Sequence, residues 1–142
     1  MVGIMWRWTL IGISIFNVVS CILGFYYLVI AGAPGMPFDE VMRPSIFTSF
    51  VIPGWILLVV VGGTQLAALI TLWKRRASAA FWSGVAGFGM VIWIYVEVVL
   101  MTGTGILHHI YLAAGLAQLG FTLALLGIFD RRAAAAVERP DR

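Results

Sequence analysis

Among the six acids of this 142-residue chain, Glu97 falls inside an apolar run, Val91-Ile92-Trp93-Ile94-Tyr95-Val96-Glu97-Val98-Val99-Leu100. A carboxylate there is expensive, so it needs a structural or chemical reason. It sits about one helical turn, ~6 Å, below the end of its run, where the cost is smaller than at the bilayer centre. His108 and His109 open the next apolar run at the same end, and Asp39, Glu40 and Arg43 lie in the loop that returns to it. The spacing therefore predicts an outer cluster of Glu97, His108, His109, Asp39 and Glu40.

Three kinds of chemistry suit such a cluster. One is a hydrogen-bonded or ion-paired cap over the helices. Another is a site for a small ligand, a lipid head group or a proton. The third, a metal centre, is disfavoured: adjacent histidines point about 100° apart on a helix, and no Glu-x-x-His ligand pair occurs. No metal site and no cofactor are assigned. If the chain is an enzyme, the candidate acid and base are Glu97 with His108 or His109. Walker, GxGxxG-after-strand, GxSxG and HExxH motifs are absent from the sequence.

These residues must be positioned by membrane helices. The chain is 62% hydrophobic and 11% charged, with a mean hydropathy of +1.03. A soluble domain carries roughly 25% charged residues. That excludes a soluble enzyme, a disordered chain and a nucleic-acid reader. A span needs about 20 apolar residues, and four windows qualify, near 8–30, 50–73, 79–101 and 107–129. The fold class is all-α: an antiparallel four-helix membrane bundle forming a single domain over residues 1–142. The first run is too long for a signal-peptide core, and reads as a retained span.

Eight of the nine Lys and Arg residues fall on one side of this arrangement: Arg7, Lys74, Arg75, Arg76, Arg131, Arg132, Arg139 and Arg142. Arg43 alone falls on the other. By the positive-inside rule both termini are cytoplasmic and the loop 31–49 faces outward. That loop opens with Ala31-Gly32-Ala33-Pro34-Gly35-Met36-Pro37, which stops a helix, and Asp39 and Glu40 then suit a short surface helix ended by Pro44. The segment 130–142 is expected to extend the fourth helix into water.

Each span carries a polar stripe at helical spacing: Ser14, Asn17, Cys21 and Gly24; Gly62 and Gln65; Met90, Trp93 and Glu97; His108, Tyr111, Gly115, Gln118 and Thr122. The stripes should converge. Interhelical hydrogen bonding is the plain reading of Asn17, Gln65 and Gln118, while a ligand site would draw on Glu97, His108, Tyr111, Gln118, Trp93, Asn17, Asp39 and Glu40. Small residues form two further seams, Ala80, Gly84, Gly87 and Ala113, Ala117, Gly120, Ala124, Gly127, expected to join the third and fourth spans, the alternative being that one seam mediates oligomerisation.

The stretch Phe47-Thr48-Ser49-Phe50-Val51-Ile52-Pro53-Gly54, with LLVVVGGTQLAAL and YLAAGLAQLGFTLAL, resembles a broad group of small four-span bacterial membrane proteins. DoxX-like proteins are similar in size and span number. Small multidrug exporters also have four spans, but carry an essential acid in the first helix, where this chain has Asn17. The resemblance implies a multi-pass inner-membrane protein. The expected role is non-enzymatic: an accessory or assembly component binding a lipid or small apolar ligand near its outer face. Its expected partners are membrane lipids and a membrane protein or a second copy, with no nucleic acid. The alternatives are a small proton-coupled transporter and an intramembrane acid–base enzyme using Glu97.

Overall fold

The computed structural model describes residues 2–128. Among them, four helices are long and apolar enough to cross a membrane: α1 (Gly3–Ile30), α3 (Val51–Trp73), α4 (Ala79–Leu100) and α5 (Ile106–Leu125). A single turn, α2 (Phe38–Val41), lies in the long loop. The described residues hold no strand, only one isolated bridge between Met42 and Met101. Two helices widen locally into π turns, at Tyr26–Ile30 in α1 and Leu57–Gly62 in α3.

Helix ends differ from the sequence expectation in two places. The first helix is already formed at Gly3, so Trp6, Arg7 and Trp8 ride on its opening turns. The fourth span stops at Leu125 and does not run on toward 129. Gly127 adopts φ +73, and its N–H and that of Ile128 donate to the carbonyls of Ala124 and Leu123 at 3.0 and 3.2 Å. This left-handed closure satisfies the final carbonyls and ends the helix. The tail 130–142 lies outside the described residues. A similar closure ends α3, but with Arg75 at φ +52 and the Arg76 N–H bonded to Thr71 O at 2.9 Å. An L-residue in that conformation costs roughly 1–2 kcal/mol.

α1 packs on α3 and α5, and α4 packs on the same two helices. Along each helix the buried side chains follow one order. At the end near Lys74, Leu10, Ile11, Leu72 and Ala79 form an apolar cluster, with Leu69, Phe121 and Leu125 against it. At the other end Cys21, Val61, Met90, Trp93 and Ile94 form a second. Between them lie Ser14, Asn17, Gln65, Ser83 and Gln118, all fully buried. The convergence of polar stripes is therefore observed.

The expected seam is only half right. A Cβ on Gly87 would approach Leu119 to 2.9 Å, and one on Gly115 would approach Val91 to 3.0 Å, so α4 and α5 meet through Gly87 and Gly115. Gly120 has nothing within 4 Å and is exposed. The run containing Gly120 lies to one side of the contact because Gly115 and Thr122 occupy the buried face.

The long loop 31–49 is tied down by backbone bonds. Arg43 N–H donates to Leu100 O and Thr102 N–H to Val41 O, both at 2.8 Å. The Thr102 hydroxyl adds bonds to the carbonyls of Glu40 and Val41. The short helix consequently ends at Val41, before Pro44, because its backbone is captured by the α4–α5 turn.

Candidate functional site

Glu97 and His108 are brought together from α4 and α5, with Oε2 and Nε2 3.8 Å apart. Their side chains are 25% and 13% exposed, so the pair is half-buried with a route to the surface. His108 also closes the start of α5: its Nδ1 accepts the Gly105 N–H at 3.1 Å. An accepting Nδ1 puts the imidazole proton on Nε2, the nitrogen that faces Glu97. Trp93 lies one turn below Glu97 in the core, and Tyr111, one turn after His108, packs against that cluster and stacks near Phe16 at 5.8 Å.

The other three members of the predicted cluster do not join. His109, Asp39 and Glu40 are exposed. His109 is turned about 100° around the helix from His108. Asp39 and Glu40 stay on α2, whose backbone is held by Thr102 while their side chains point to solvent. Among the described residues no three of His, Cys, Asp and Glu converge. The five-residue cluster is corrected to a pair.

Asn17 and Gln118 stand away from this pair, in the central polar layer. Gln65 and Gln118 exchange two amide hydrogen bonds: Gln65 Nε2 to Gln118 Oε1 at 3.0 Å and Gln118 Nε2 to Gln65 Oε1 at 3.1 Å. Gln65 also donates to Ala86 O at 3.1 Å. Gln118 donates to Ser14 Oγ at 3.4 Å and accepts from Asn17 Nδ2 at 3.4 Å. Thr122 bonds the Gln118 carbonyl at 2.7 Å and lies 3.0 Å from Ser83 Oγ. All four spans meet here. One acceptor is left over: Asn17 Oδ1 is buried without a partner.

Sequence reasoning passed over Ser83, although it continues the stripe of Met90, Trp93 and Glu97 toward the other end of α4 at the same helical spacing. None of these amides and hydroxyls titrates, so the layer can join helices and fix their register but cannot move protons.

Sequence reasoning also missed an open concavity of about 590 Å³ between the loop 31–49 and the end of α1. Leu28 and Val29 from the π turn of α1 form one wall; Pro37, Phe38, Phe50 and Val51 form the other. Phe38 and Phe50 meet edge to face at 5.0 Å, which joins α2 to the start of α3. Tyr27 braces the loop through a 2.6 Å bond to Pro34 O. The Gly and Pro residues of 31–37 signalled a turn, but nothing local signals a concavity.

Comparison with protein-family models, with curated proteins and with solved structures finds no match. The geometry alone carries the functional reading. Four helices are long and apolar enough to cross a membrane, which is compatible with a membrane protein. The polar features divide into a central interlock, an acid–imidazole pair at one end of the helices and a largely apolar concavity against the loop 31–49.

Proposed function

We propose that this chain is a non-enzymatic accessory component of a bacterial inner membrane, arranged as an antiparallel bundle with both termini in the cytoplasm. In this reading it binds a lipid chain or small apolar ligand at its outer face. The observation that carries it is the open concavity whose walls present Leu28, Val29, Phe38 and Phe50, apolar side chains that suit a hydrocarbon chain. The interlocked Gln65 and Gln118 support an outer-face role over a conduit, because they close the helix interior below it.

The orientation rests on the cation asymmetry and is tested by cysteine labelling from outside. Probes at Ser45 and Gly103 should react and one at Ser78 should not; the native Cys21 is buried and gives little background. Native mass spectrometry of the full chain, extracted in mild detergent, tests the ligand. A copurifying apolar molecule lost on Val29→Trp supports the reading, and an identical ligand profile in the variant removes it.

The pair of Glu97 and His108 favours a second reading, proton-coupled transport or acid–base chemistry at the outer face. Glu97→Gln separates the two. Ligand retention survives under the first reading, whereas pH-dependent activity disappears under the second.

A further inference from the structure

At the opposite end of the molecule, α1 and α3 leave a surface groove of about 220 Å³, lined by Ile15, Leu69, Ile70 and Trp73 and closed by Lys74. Its walls are hydrocarbon and indole, and its end is a cation. Trp73 meets Trp8 edge to face at 5.8 Å, and the Arg7 guanidinium lies 5.4 Å from the Trp8 ring. A continuous row thus runs from Arg7 through Trp8 and Trp73 to Lys74, with Arg75 and Arg76 following. Amphipathic indoles of this kind settle at the head-group level of a bilayer.

Charge at this end is one-sided. Among the described residues the acids are Asp39, Glu40 and Glu97, all at the far end of the helices, while Arg7, Lys74, Arg75 and Arg76 gather here. Lys74, Arg75 and Arg76 are exposed. Arg75 holds the left-handed position that glycine would occupy without strain. We propose that the groove binds one anionic phospholipid, with an acyl chain along Ile15, Ile70 and Trp73 and the phosphate at Lys74, flanked by Arg7 and Arg75. Apolar walls take the chain, and the cations select the head group.

The test uses the full chain in mild detergent, with phosphatidylglycerol or phosphatidylcholine of identical acyl chains added and retention read by native mass spectrometry. One phosphatidylglycerol should be retained in preference to phosphatidylcholine. Lys74→Gln should reduce that preference about fivefold, the expected effect of one cation near the surface, and Lys74→Arg should keep it. Ile70→Trp fills the groove from an exposed position and should lower retention of both lipids. Equal retention of the two lipids by the unmodified protein overturns the proposal. So does a mass of two chains that Ile70→Trp dissociates, which makes the groove an interface between copies. The outer pocket plays no part in these readouts.

Discussion

The central amide layer and the Glu97–His108 pair at one end of the helices are both polar clusters in an apolar molecule, yet they are built oppositely. Gln65 and Gln118 answer each other in both directions at 3.0 and 3.1 Å, under full burial. Glu97 and His108 face each other across 3.8 Å, partly exposed at 25% and 13%, with no hydrogen bond between them. Groups that cannot ionise are placed where desolvation is complete and every bond counts toward holding helices together. Groups that can ionise are placed where water can still reach them. Burying a polar group without a partner costs far more in hydrocarbon than at its edge, so this division lets the protein keep a titratable pair without weakening its centre.

The sharpest way to break that contrast is Gln118→Leu. It strands Gln65, Asn17 and Ser14 together, and should destabilise the fold by about 2 kcal/mol in a detergent unfolding titration. The double variant Gln65→Leu/Gln118→Leu should recover part of the loss, because it removes both halves of the interlock. A single variant as stable as the unmodified protein would mean that the layer carries no energy. Next in size is Gly87→Ala. Its methyl meets Leu119 at 2.9 Å and the Gly115 carbonyl at 3.2 Å, and overpacking of this kind costs about 1–2 kcal/mol. Gly120→Ala, in open space, should stay within about 0.5 kcal/mol of the parent. Equal losses for the two would place the α4–α5 contact elsewhere.

Asn17→Leu should have a smaller effect of the opposite sign. It gives up one 3.4 Å bond and eliminates the buried orphan Oδ1, for a net gain of about 0.5 kcal/mol or none. A large loss in the same unfolding titration would reveal that Oδ1 has an essential partner. Smallest of all is Glu97→Gln, expected to leave the unfolding midpoint unchanged, since the pair supplies no hydrogen bond to lose. A marked destabilisation would turn the Glu97–His108 pair into a second structural lock and erase the contrast.

Much of this architecture is legible in the residues themselves. The four spans follow from runs of about 20 apolar residues, and the burial of Asn17, Gln65 and Gln118 follows from their helical spacing. What the spacing cannot carry is rotation and closure. Ser14 and Ser83 lie on the right stripes, but which stripe face meets which depends on the close approach at Gly87 and Gly115, a tertiary fact. His109 is equivalent to His108 in composition and differs only by a turn about the helix axis. Asp39 and Glu40 were expected over Glu97 because loops are flexible on paper; the backbone bonds of residues 40–43 to 100–102 decide otherwise. The termination of α5 at Leu125 is readable in Gly127, whose φ of +73 suits glycine.

The two π turns, Tyr26–Ile30 in α1 and Leu57–Gly62 in α3, sit in neighbouring helices. Just beside them the helices are pressed together, with a Cβ on Gly24 reaching Leu57 at 2.7 Å and one on Gly62 reaching Cys21 at 3.2 Å. A π turn holds one residue more than ordinary helix over the same rise, so deleting that residue returns the turn to α geometry and leaves the segments on either side in register. In α1 such a deletion removes the widened turn from which Leu28 and Val29 line the pocket. In α3 it narrows the turn before Gly63 and keeps the Phe50–Val51 wall in register with Gln65. Single-residue deletions are thereby absorbed inside these two turns, whereas the same deletion elsewhere in α1 or α3 rotates one part of the helix against the other by about 100°.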